Sequence, residues 1–243
     1  MDSSSTTFLE QLVTRRNAGI AAIAKDGPRV DDTLVKELLT PGSDVRCGVN
    51  VIARPNIRVA GEILRLQDRL RTIVPLQYYY PLDDLHLTYL EVCHSRGFDE
   101  VEDLARRVVG ACAEMAPDLP STSLSPVLVG IDPGGCALNC VPLDDSLQRG
   151  RQRLSDGLVE RGITSEARYL PQSAHITFMR YKAPVGGSPA AWLDVLRELG
   201  TDQNLTWTLD EVWVTWGPNW YGMKDRVRGA GPFRLVGGGD PQA

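Results

Sequence analysis

Histidine is scarce in this chain, with three in 243 residues, and no apolar stretch approaches the eighteen or so residues that span a bilayer. The start, Met1-Asp2-Ser3-Ser4-Ser5, lacks a basic region feeding a hydrophobic one. Neither a membrane span nor a secretory leader is therefore expected, and the reading is a cytoplasmic or nuclear protein. The five cysteines, Cys47, Cys93, Cys112, Cys136 and Cys140, are odd in number and scattered, which excludes a disulfide framework. Cys136 and Cys140 lie four apart, but no histidine or second cysteine pair completes a metal set, so neither a metal nor a cofactor is expected. A basic excess is also absent: 26 Lys and Arg against 31 Asp and Glu give a net charge of −5. Proteins that grip long duplexes draw affinity from counterion release and show a basic face. The local groups Arg149, Arg151 and Arg153, or Arg226 and Arg228, read as solvated helix or loop faces. A small nucleotide or an RNA end fits this balance better than a long duplex. Gly237-Gly238-Gly239 has no helix after it and reads as a tail, not a phosphate loop.

Against these absences stands a short pattern that occurs twice, Leu85-His86-Leu87-Thr88-Tyr89 and Ala174-His175-Ile176-Thr177-Phe178. Both copies lie in apolar runs that read as β-strands. Side chains alternate along a strand, so His86 and Thr88 project to one face and Leu87 and Tyr89 to the other, and the second copy behaves alike. Two of the three histidines thus carry a threonine two places on, with apolar neighbours in every flanking position. Chance produces this in on the order of one such chain in several thousand. Two imidazoles on facing strands suit phosphodiester cleavage, because one takes a proton from the attacking oxygen while the other supplies one to the leaving oxygen.

The pair His86-Leu87-Thr88 and His175-Ile176-Thr177, about ninety residues apart, resembles the two signature motifs of the 2H phosphoesterase superfamily. That group includes the bacterial RNA 2′,3′-cyclic phosphodiesterases once called 2′-5′ RNA ligases. The approach Asp83-Asp84-Leu85 resembles the run into the first motif, and Arg180 follows the second motif where many members carry arginine. Ala174 departs from the proline common before the second histidine, and some forty N-terminal residues have no counterpart in compact bacterial members. The resemblance implies His86 and His175 as catalytic acid and base, and Thr88 and Thr177 as donors to the phosphoryl oxygens. It requires no metal, and which histidine plays which part stays open.

Periodicity gives helices at 6–25 and 31–39, a strand at 46–53, and an amphipathic helix from Ile57 to Leu70. The first motif strand falls within Gln77 to Val92, followed by a helix at 99–115. The strands Leu124–Ile131 and Cys136–Val141 are joined by Asp132-Pro133-Gly134-Gly135, and a helix runs from Asp144 to about Gly162. The second motif strand runs from Ala174 to Tyr181, a helix occupies 190–199, and Trp207–Trp216 and Phe233–Val236 close the chain as strands. The expected architecture is α+β: an N-terminal helical extension over 1–42 and a bilobal, pseudo-symmetric domain over 43–243. Mainly antiparallel sheets line its central cleft, with helices outside.

Beyond the motif quartet, Tyr181 is in phase with His175 and Thr177 and is a candidate substrate contact. Arg180 is out of phase and needs a strand end or bulge to reach the phosphate. The clusters Tyr78-Tyr79-Tyr80 and Trp213, Trp216, Trp220, Tyr221 could stack on a base. His94 reads as a bystander. The function expected is metal-independent cleavage of a cyclic phosphate, or of a 2′-5′ or 3′-end phosphodiester, in a nucleotide or short RNA. The alternatives are a nucleotide-binding module without turnover and an RNA ligase-like activity.

Overall fold

The computed structural model describes residues 3–166, 173–185, 189–202, 204–218 and 227–237. Its α-helices are α1 (Ser3–Asp26), α2 (Asp32–Leu39), α3 (Ile57–Arg71), α4 (Phe98–Met115), α5 (Ser146–Glu160) and α6 (Pro189–Glu198). The strands are β1 (Cys47–Ala53), β2 (Tyr78–Tyr79), β3 (Leu87–Arg96), β4 (Thr122–Asp132), β5 (Gly135–Pro142), β6 (Ala174–Arg180), β7 (Trp207–Leu209), β8 (Glu211–Gly217) and β9 (Arg228–Arg234). Local chemistry fixes several starts. Asp31 and Asn56 cap α2 and α3, accepting from the backbone N–H of Leu34 and Val59 at 3.0 Å each. β9 begins earlier than periodicity predicts because Arg-Gly-Ala-Gly-Pro-Phe-Arg has no β-branched residue to mark it.

The nine strands form one continuous sheet in the order β7-β4-β5-β6-β3-β1-β8-β9, with β2 pairing to β6, and every ladder is antiparallel. The two expected lobes are the halves β7-β4-β5-β6 and β3-β1-β8-β9, and their sheets meet at the pair Leu87↔Ile176. The helices exchange sides across this seam. α3, which follows β1 in the first half, packs beneath β6, and α5, from the second half, packs beneath β3. Buried Gln67 of α3 donates through Nε2 to the carbonyls of Tyr80 at 2.8 Å and Phe178 at 3.0 Å, tying β6 to the turn before β3.

The N-terminal segment closes the outer face of the second half. α1 lies along β4 and β5, with Ile20 and Ile23 in the main core. Its Arg16 donates to the carbonyls of Leu196, Arg197 and Leu199 (2.6, 2.9 and 3.2 Å), which end α6. Beyond α1, the backbone N–H groups of Arg29 and Asp31 bond to the carbonyls of Pro133 and Tyr181 at 2.7 and 2.8 Å. All five cysteines are buried as free thiols.

α1 meets β4 at Gly19, where an added Cβ would stand 1.9 Å from the carbonyl oxygen of Ile131. Alanine there must lift the helix off the strand, an overpacking cost of about 1–3 kcal/mol. Gly19→Ala should therefore lower the urea midpoint. Gly61→Ala on α3, which meets nothing within 4 Å, should leave it unchanged or raise it slightly. Equal midpoints for Gly19→Ala and wild type would contradict this seating of α1.

Candidate active site

The two motif strands face each other at the seam. With Leu87 opposite Ile176, the antiparallel register carries Thr88 towards His175 and His86 towards Thr177. In that register the two imidazoles are diagonal neighbours across the seam. Leu87 and Ile176 point the other way and are fully buried.

His86, Thr88, His175, Thr177 and Arg180 line one cleft of about 170 Å³, together with Gly48, Asn50, Tyr80, Glu91, Cys93 and His94. An adjoining cavity of about 220 Å³ shares the walls Asn50 and His86 and extends to Arg54, Asp83, Asp84, Thr215 and Arg228. Among the described residues no cluster of three or more His, Cys, Asp or Glu side chains is arranged to hold a metal ion.

Three β-bulges decide which side chains enter the cleft. On β6, Thr177 pairs with Ala137 and Met179 with Cys136, so Phe178 is an extra residue and the alternation reverses after it. Arg180 is thereby turned into the cleft. Tyr181, expected there by simple alternation, is instead fully buried on the opposite face, edge-on to Trp192 with ring centroids 5.8 Å apart. On β3 the extra residues against β1 up to Cys93 are Tyr89 and Val92, with a further register shift between Cys93 and Arg96, and the cleft face runs Thr88, Glu91, His94. His94 thus forms part of the cleft wall. Its Nδ1 lies 3.2 Å from a Glu91 carboxylate oxygen.

The motif histidines are held differently. His86 follows the tight turn Leu82–Asp84, and its Nδ1 lies 2.7 Å from the Asp84 carbonyl. A carbonyl only accepts, so Nδ1 carries a proton and Nε2 is left for the cleft. Burial lowers the His86 pKa below the ordinary imidazole value and nearby Arg54 lowers it further, while the Asp84 hydrogen bond opposes them. His175 keeps an exposed edge, with Nδ1 3.3 Å from the Ser173 hydroxyl. Its pKa is also lowered, first by the surrounding protein and then by Arg151, His86 and Arg180, against Asp132.

Of the basic trio on α5, Arg149 and Arg153 are solvated as expected, but Arg151 is fully buried beneath the seam. Its Nε donates to the Tyr89 carbonyl at 2.9 Å, and one terminal nitrogen donates to the Thr88 and Ser173 carbonyls at 2.8 and 3.2 Å. Burial pulls its pKa down to about 10, so it remains a cation at neutral pH. Among the aromatic candidates, Tyr80 borders the cleft, whereas Tyr79 packs under Arg71 and bonds the Val74 carbonyl at 3.0 Å. Trp216 donates to Glu102 at 3.0 Å, and Trp213 lies beneath Arg54. Trp220, Tyr221 and Arg226 fall outside the described residues, as do Gly238 and Gly239 of the tail.

Solved structures share this arrangement of elements. TT0787 of Thermus thermophilus aligns over 69% of this chain and 87% of its own at 17% identity, with a TM-score of 0.50. A protein described as a phosphoesterase aligns over 77% and 97% at 14% identity and the same score. E. coli LigT complexed with 3′-AMP aligns over 79% and 99% at 12% identity, again at 0.50. The fold is that of the 2H phosphoesterases. No protein-family model matches the chain, and no curated protein resembles it in sequence. The 2H-type fold therefore rests on structure, and at such identities it is the fold alone that is shared.

The depressed imidazoles fix the sign of a pH effect. In mild acid the unfolded chain binds more protons at these two sites than the folded one, so their contribution to stability is complete above about pH 6.5 and declines as pH falls towards the folded values. The urea midpoint should drop between pH 7.5 and 5.5, and the double variant His86→Gln/His175→Gln should flatten that dependence. An equally steep dependence in the double variant would contradict the assignment.

Proposed function

We propose that this chain is a phosphodiesterase that opens a cyclic phosphate, or cleaves a 2′-5′ or 3′-end phosphodiester, in a small nucleotide or RNA end, using two histidines and no metal. The observation that carries the reading is the convergence of His86, Thr88, His175, Thr177 and Arg180 on one cleft in a 2H phosphoesterase fold. The complex of LigT with 3′-AMP, a ribonucleoside monoester, supports a nucleotide-sized ligand for the shared fold.

The environments of the two imidazoles suggest their roles. His175, beside Arg151 and Arg180, favours its neutral form and serves as base. The His86 pKa is lowered as well, but its Nδ1 hydrogen bond to the Asp84 carbonyl favours the doubly protonated ring, and of the two it serves as acid. On a 2′,3′-cyclic phosphate, His175 takes a proton from water as the water oxygen bonds to phosphorus. The phosphorus–oxygen bond opposite breaks, and His86 gives its Nε2 proton to the departing ribose oxygen. The product is a phosphomonoester with a free ribose hydroxyl. Thr88, Thr177 and Arg180 donate to the non-bridging oxygens, where charge collects in the transition state.

Turnover of 2′,3′-cyclic nucleotides and a 2′-5′ oligoadenylate in excess EDTA should match turnover without the chelator. His86→Ala and His175→Ala should each lose about 10²–10⁴ in kcat. Thr88→Val and Thr177→Val should lose about 10²–10³, the range for removing one transition-state donor. Wild-type protein that binds these nucleotides yet forms no product over long incubation would overturn the reading in favour of a binding module.

A further inference from the structure

A basic residue on an amphipathic helix ordinarily lies in solvent, yet Arg151 of α5 is fully buried, and its Nε and one terminal nitrogen donate to backbone carbonyls of the motif segments. Thr88 and Tyr89 belong to the first motif strand and Ser173 immediately precedes the second. A single guanidinium therefore spans the seam from below, while the catalytic candidates face the cleft above it.

Close approach of α5 makes this possible. The neighbouring Gly150 makes room for the Tyr89 side chain, whose phenol oxygen would stand 2.0 Å from an added Cβ. The planar fork suits the task, since it offers several donors in fixed directions, whereas a lysine ammonium would hold fewer of these carbonyls at once. Between the two ordered motif strands the sheet itself contributes only the pair Leu87↔Ile176.

We propose that Arg151 is a positioning residue of the site: its guanidinium fixes the spacing of the two HxT strands through the carbonyls of Thr88, Tyr89 and Ser173, and places a permanent positive charge beneath His175. The strand-spacing part is a statement about structure, and its kinetic consequence rests on the proposed phosphodiesterase reading. The charges that act on His175 come from every side: Arg151 on α5, His86 ahead of β3, Arg180 on β6 and, in opposition, Asp132 at the end of β4. Tyr89 is the ionisable group that faces Arg151 itself.

Arg151→Lys and Arg151→Met separate the two contributions. The first keeps the charge and loses the fork; the second loses both at similar length. The histidine ring resonances of the full chain, three in number, are followed by NMR through a pH titration, a measurement that needs no substrate. In Arg151→Met the His175 midpoint should move up relative to wild type and the His86 midpoint should move less. In Arg151→Lys the His175 midpoint should return towards wild type. Both variants should lose kcat, by on the order of 10²-fold if the reacting groups are displaced by about 1 Å, with a smaller change in KM. If wild type turns over none of the phosphodiesters, the catalytic reading fails while the titration still tests the buried charge. A folded Arg151→Met with an unmoved His175 midpoint would overturn the electrostatic half. Should Arg151→Met fail to fold, Arg151→Lys decides alone: wild-type kcat in that variant would overturn the positioning role.

Discussion

Everything at the candidate site depends on how two half-sheets meet. β3 and β6 are joined by one ladder pair, Leu87↔Ile176, and the motif side chains flank it. One antiparallel pair is a weak constraint on its own, since a strand pair normally draws its register from several consecutive bonds and from packing of both faces. Here the missing constraint comes from beneath. Gln67 on α3 holds the carbonyls of Tyr80 and Phe178, and Arg151 on α5 holds those of Thr88, Tyr89 and Ser173. Each side chain is fully buried, belongs to one half and reaches the strands at the seam. The pseudo-symmetry of the fold thus extends to its buried polar groups, with an amide on one side and a guanidinium on the other. The difference has electrostatic weight, because only the second half's helix brings a charge, and it lies nearer His175.

The bulges perform a second task that regular strands could not. A flat pair of strands would expose every other residue and would send Leu90 and Val92 into the cleft after Thr88. Inserting Tyr89 and Val92 as extra residues keeps those apolar side chains in the core and turns Glu91 and His94 to the cleft. The extra Phe178 does the same for Arg180. Packing demands on the buried face and chemical demands on the open face are satisfied together, at the cost of ladder hydrogen bonds, at places where the strands must twist in any case.

These features mark what could and could not be read in the sequence. The histidines and threonines were legible because a strand's two-residue period is rigid over three positions. The element order was legible because the helical period from Ile57 to Leu70 and the Asp132–Gly135 turn mark it clearly. Period two fails over longer stretches, and each failure left a trace: the apolar doublets Tyr89-Leu90, Val92-Cys93 and Phe178-Met179 stand where alternation demands single apolar residues. Reading those doublets as bulges would have placed Glu91, His94 and Arg180 in the cleft and removed Tyr181. Arg151 left only a faint mark, the adjacent Gly150. Nothing in a window of about fifteen residues distinguishes an arginine that faces water from one that faces carbonyls beyond that window, since the distinction is made by tertiary contact.

The burial of all five cysteines carries a consequence for the chemistry the folded chain presents to its surroundings. A thiol reacts as its thiolate, and burial raises the pKa of Cys93, and brings those of Cys112, Cys136 and Cys140 to about 12. At neutral pH the sulfurs of Cys112, Cys136 and Cys140, which do not line the cleft, are protonated and shielded, so peroxide and disulfide reagents find little to attack while the core is closed. The same sulfurs become ordinary nucleophiles when the core opens. Oxidation of these thiols is thereby tied to opening of the core.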